Sequence, residues 1–154
     1  MKIRTIVLTL AALFAVVTVC FAADVNMGTW KLNEAKSKIA PGAVKNSLVV
    51  IVAVGDNVKI TVDGIDADGK PLHNEWKGKF DGKDYPLTGV PTVDTRAYKP
   101  LDDHTMALTE KKDGKTIITG TQVISADGKT RTITVNEPGP NGKRMNITYV
   151  YDKQ

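Results

Sequence analysis

From residue 28 onward the chain alternates apolar and polar side chains over short stretches, and turn residues cut those stretches at near-even intervals. In 71–80, Leu72, Asn74, Trp76, Gly78 and Phe80 oppose His73, Glu75, Lys77 and Lys79. Successive strand residues point to opposite faces, so this segment reads as a strand with its charged set in water. The last apolar stretch sorts the same way, with Met145, Ile147, Tyr149 and Tyr151 opposite Arg144, Asn146 and Thr148. Arg131, Ile133 and Val135 share a face within 130–137, and Trp30 and Leu32 share one within 28–33. Between the stretches, Asp or Asn meets Gly at Gly55-Asp56-Asn57, Asp63-Gly64, Asp68-Gly69-Lys70, Asp81-Gly82-Lys83, Asp113-Gly114-Lys115, Asp127-Gly128-Lys129 and Asn141-Gly142-Lys143. These predict hairpin turns of type I′, which need positive φ at both central residues. Strands are predicted over 28–33, 46–54, 58–63, 71–80, 84–87, 92–100, 105–112, 116–125, 130–137 and 144–152, and no helix competes strongly.

So many short antiparallel strands in sequence would leave an open sheet with two edges to protect, and closure removes both. The expected fold is all-β, an antiparallel up-and-down β-barrel of about 8–10 strands. A barrel of that size encloses a cavity where a smaller one fills with side chains. Trp76, Met106, Tyr149 and Tyr151 are the expected lining, with Asn74 as a polar member of the same interior. Asp94, Arg96 and Tyr98 alternate on one face of 92–100. Facing inward they would read a polar ligand, with Arg96 and Tyr98 as the binding candidates; facing outward they form a solvated row, which is the expectation. Residues 48–54, Leu-Val-Val-Ile-Val-Ala-Val, are apolar on both faces, so something must cover the outer one. The segment 34–45 folded back over it is the first expectation, which makes the protein a monomer. A homodimer through Leu48 to Val54 and a membrane contact are the alternatives.

The first 22 residues stand apart. Lys2 and Arg4 precede an apolar run from Ile6 to Val19, followed by Cys20-Phe21-Ala22-Ala23 and the first acid, Asp24. This is the pattern of a secretory signal peptide, shorter than the roughly 20 apolar residues of a membrane span. Cleavage after Ala22 is expected, with Ala23 as the alternative site and lipid attachment at Cys20 as the lesser one. The expected product is exported, periplasmic or extracellular, with a single domain over 23–154 and no transmembrane span. Loss of Lys2 and Arg4 lowers the formal charge by two from the +4 of the whole 154-residue chain. The remaining lysines are interleaved with acids and form no stripe for a phosphate backbone, so nucleic acid is not an expected partner.

Gly28-Thr29-Trp30-Lys31-Leu32 at the first strand and Tyr149-Val150-Tyr151-Asp152-Lys153 at the last resemble the two ends of a fatty-acid-binding protein, and Gly28-x-Trp30 is similar to the first element of lipocalins. Both are calycins. The stretch from Trp76 through Lys79-Phe80-Asp81-Gly82-Lys83-Asp84-Tyr85-Pro86 to Gly89 resembles small exported lipocalin-like proteins of bacteria. The resemblance implies a ligand-holding barrel. It also implies a last-strand Arg-x-Tyr for a ligand carboxylate, of which this chain keeps the tyrosine and replaces the arginine with Tyr149. A helix-turn-helix lid is lacking, since only 34–45 joins the first two strands. From the lipocalin likeness, Arg131 is expected to close the barrel by stacking on Trp30, a contact worth about 0.5–2 kcal/mol. The alternative is a surface charge beside a turn.

Catalytic signals are thin. His73 and His104 sit in no nucleophile motif, and the chain past residue 22 has no cysteine. His73 and Glu75 share a strand face that reads as polar surface, and Asp63, Asp66 and Asp68 lack the spacing of a calcium loop. No cofactor, no metal and no enzymatic activity are expected. The expected function is binding of an apolar or amphipathic small molecule inside the barrel. The alternative is a protein-interaction module of the cell envelope with a fully packed interior.

Overall fold

The computed structural model describes residues 23–139 and 141–154. The signal peptide expected over 1–22, its cleavage site and Cys20 lie outside the described residues. A four-residue helix α1 (Ala23–Asn26) leads into ten strands, β1 (Gly28–Leu32), β2 (Lys45–Val54), β3 (Asn57–Ile65), β4 (Pro71–Gly78), β5 (Tyr85–Thr88), β6 (Thr95–Pro100), β7 (Thr105–Lys112), β8 (Lys115–Ile124), β9 (Thr130–Pro138) and β10 (Arg144–Lys153). Every neighbour in sequence is a neighbour in the sheet, all pairs are antiparallel, and β1 pairs with β10 to close the barrel. The seam sets Trp30 opposite Lys153 and Leu32 opposite Tyr151. No helix among the described residues is long and apolar enough to cross a membrane.

The alternation read from the sequence sets the faces of these strands. Asn74, Trp76 and Gly78 of β4 are buried while His73 and Lys77 are exposed; Ile147, Tyr149 and Tyr151 of β10 are buried opposite exposed Asn146. The turns differ from expectation in type, and Asp63-Gly64 is no turn at all: both residues lie within β3 and pair with His73 and Leu72 of β4. Asp113 (φ 49°) with Gly114 (φ 74°) has the two positive φ values of a type I′ hairpin, but Asp113 is the only non-glycine with positive φ among the described residues. At 66–70 and 125–130 a longer loop is built instead. Asp66 N–H donates to Lys70 O and Gly69 N–H to Asp66 O; Ser125 N–H donates to Thr130 O and Gly128 N–H to Ser125 O. Only the glycine then needs a left-handed backbone, and the Asp66 and Asp127 carboxylates take up further loop N–H groups.

The segment after β1 does not fold back over β2. It runs along β10: Asn33 N–H donates to Val150 O at 2.8 Å, and Lys38 and Thr148 exchange backbone hydrogen bonds of 2.7 and 3.0 Å. The cause is a mismatch in length. β1 has five residues and β10 has ten, so half of the β10 edge would be left with unpaired N–H and C=O groups, and 33–38 satisfies them. The outer face of β2 stays uncovered at its far end, where Val52 is 44% and Val54 39% exposed.

Candidate functional site

In an up-and-down barrel alternate connections lie at the same end. At one end α1 caps the barrel: Val25 and Met27 pack on the core, Asn26 is buried, and the Trp30 indole donates to Asn26 O at 2.9 Å. Above this cap lies an aromatic layer. The Trp76 ring stacks on Phe80 at 6.0 Å and meets Tyr85 and Tyr98 edge-on at 5.9 and 5.1 Å, and its indole N–H donates to Arg96 O at 2.8 Å. Toward the opposite end the side chains no longer meet, and a cavity of about 400 Å³ opens among the strands. Its walls are apolar, from Val49, Ile60, Val62, Leu108, Ile133 and Val135. Its rim is formed by the 42–44 segment, Val90, Ile117 and the Pro138-Gly139 corner.

Of the residues expected to face a ligand, Asn74, Arg96, Tyr98, Tyr149 and Tyr151 line this cavity. Trp76 and Met106 do not. Both belong to the packed core, 0% and 3% exposed, and are absent from the lining. Alternation says which face of a strand is inward but not at what height a side chain lies, and strands of eight to ten residues are long enough to hold both a solid layer and a hollow one. The expected solvated row on 92–100 is also overturned. β6 begins only at Thr95, and Arg96 and Tyr98 point inward, 9% and 2% exposed. Asp94, outside the strand, accepts a hydrogen bond from Asp113 N–H at the next turn.

Arg131 departs from both of its expected roles. It is 1% exposed, hence no surface charge, and its guanidinium stacks over the Tyr151 ring at 5.7 Å. Trp30 instead receives the Lys153 ammonium, 5.0 Å from its ring centre, because the closing register brings these two residues opposite each other. Arg131 is held by Gln122, whose Oε1 accepts from Nε at 3.0 Å and Nη2 at 2.7 Å, while the Gln122 amide N–H donates to Asn26 Oδ1. A buried polar chain thus runs from the cavity floor through Gln122 and Asn26 to Trp30.

Three further polar residues of the site escaped the sequence reading. Gln122 has the inward parity of Ile124, and Glu110 that of Met106 and Leu108, so the alternation carried a signal for both. Glu110 pairs with Arg96 across the β6–β7 ladder, Oε1 to Nε at 2.6 Å, with both side chains buried. Burial works against the Arg96 charge, but Glu110 more than offsets it and the Arg96 pKa stands above its ordinary value. Glu137, near the rim, has its pKa raised by burial, with the Glu110 charge acting in the same sense. Burial also pushes the Tyr149 hydroxyl well above the usual phenol range, and that hydroxyl donates to Val44 O at 2.7 Å. Asn46 Oδ1, Asn74 Oδ1 and Arg131 Nη1 are buried without a hydrogen-bond partner, and all three residues line the cavity.

His73, Glu75 and Asp63 lie on the outer surface of β3 and β4, with His73 Nδ1 2.6 Å from Asp63 and Glu75 2.7 Å from Lys59. Among the described residues no group of three or more His, Cys, Asp or Glu is placed to hold a metal ion.

No protein-family model matches the chain, and no curated protein matches it. Among solved structures it is similar to a redesigned β-barrel, mFAP1, bound to DFHBI, at 17% identity and a TM-score of 0.44, with 86% of this chain and 98% of that one covered.

Proposed function

We propose that this barrel is a carrier of the calycin type, exported and non-enzymatic, that holds an apolar or amphipathic small molecule. The observation that carries the reading is the cavity: about 400 Å³ inside a closed barrel, sealed at one end, walled by aliphatic side chains and furnished with a few buried polar atoms lacking partners. Small-molecule sites have this size and composition, roughly 300–1,000 Å³ with sparse polar groups that fix orientation. The alternative, an interaction module with a solid interior, has no use for such a space. The pattern of residues 1–22 supports export.

Titration with the neutral fluorophore N-phenyl-1-naphthylamine, together with native mass spectrometry of the exported product, tests the reading. The expected result is saturable one-to-one binding to the barrel. A chain that neither enhances the fluorophore nor carries any bound mass overturns it.

A further inference from the structure

The charges inside the barrel do not all pair. Arg96 is neutralised by Glu110 at 2.6 Å, whereas among the described residues no carboxylate lies within ion-pair distance of Arg131. The groups around Arg131 are the Gln122 amide and the phenols Tyr98 and Tyr151. Glu137 does not serve as its counter-ion, for it stands six residues further along the same strand, about 20 Å away at the rise of a β-strand. A guanidinium keeps its proton even when burial disfavours its charge, so a full positive charge sits at the cavity floor. Buried charges are nearly always paired.

The orientation of the group is specific. Gln122 Oε1 takes the Nε and Nη2 side, and Tyr151 covers one face of the plane. Nη1, on a residue lining the cavity, makes no hydrogen bond, although the Tyr98 phenol lies near the guanidinium. That end of a guanidinium matches a planar oxyanion.

We propose that the ligand is a monoanionic amphiphile whose oxyanion seats on Arg131 Nη1 at the cavity floor while its apolar body extends past Val62, Leu108 and Val135 toward the rim. The assignment deepens the carrier reading and rests on it. Gln122 is the positioning residue that turns the free end of the guanidinium to the ligand. Glu137, near the rim, opposes the reverse orientation by repelling an anionic group there.

The test is displacement of N-phenyl-1-naphthylamine from the exported chain by dodecanoate, dodecanol and dodecyltrimethylammonium. Dodecanoate is expected to bind at least about ten-fold more tightly than dodecanol, and the cation least. Arg131→Met is expected to abolish the preference while dodecanol still binds. Gln122→Glu, which places a carboxylate beside the guanidinium with little change of shape, is expected to abolish it equally and decides the matter if Arg131→Met does not fold. Equal displacement by dodecanoate and dodecanol in the unaltered chain overturns the anion assignment and leaves the carrier reading standing. A preference that survives Gln122→Glu also overturns it. No binding of the fluorophore, with no amphiphile raising the melting temperature, overturns both.

Discussion

Glu137 is the side chain whose chemistry most plainly depends on its place in the barrel. Half-buried near the rim and within reach of the Glu110 charge, it holds its proton above the ordinary carboxyl value of 4.5. In the window just above that value the folded chain binds more protons than the unfolded one, so stability falls as pH rises through it. Melting temperatures between about pH 4 and 8 should therefore show Glu137→Gln gaining on the unaltered protein as pH rises, with the gap closing at the acid end. A constant gap would mean that Glu137 titrates alike in both states. The inward faces of Asn74, Tyr149 and Tyr151 were legible from alternation, and so was that of Arg131. The partners of Arg131 were not. Stacking on Tyr151 and bonding to Gln122 depend on how three strands are staggered, and no single strand encodes that.

At the level of strands and connections, all ten strands follow from period-two patterning, with ends shifted by a few residues at most, and Asp or Asn beside Gly marks most of the hairpins; Asp63-Gly64, however, lies inside β3, and the 101–104 connection has no glycine. The course of 33–45 was not legible, because it answers to the unequal lengths of β1 and β10 rather than to its own residues. Gly120 in β8 shows how tightly neighbouring strands constrain one another. A Cβ there would overlap the Thr134 carbonyl of β9 as well as crowd Val135. Gly120→Ala should force the β8–β9 ladder apart and cost about 1–3 kcal/mol, read from the midpoint of urea unfolding. Gly55 has open space around its added Cβ, so any cost of Gly55→Ala comes only from its positive φ of 60°.

For the molecule as a whole, closure and a hollow interior were both foreseeable from strand number, but the division of that interior into a solid layer and a space was not. It arises because Trp76, Phe80, Tyr85 and Tyr98 gather at one height, beside the α1 cap, and leave smaller aliphatic side chains to wall the rest. The cap has a kinetic corollary. A vessel with one doorway must be emptied before it is refilled, since no newcomer can push the resident out from behind. Replacement of one occupant by another should then proceed at the pace of departure alone, and stopped-flow exchange should give the same rate however concentrated the incoming molecule is.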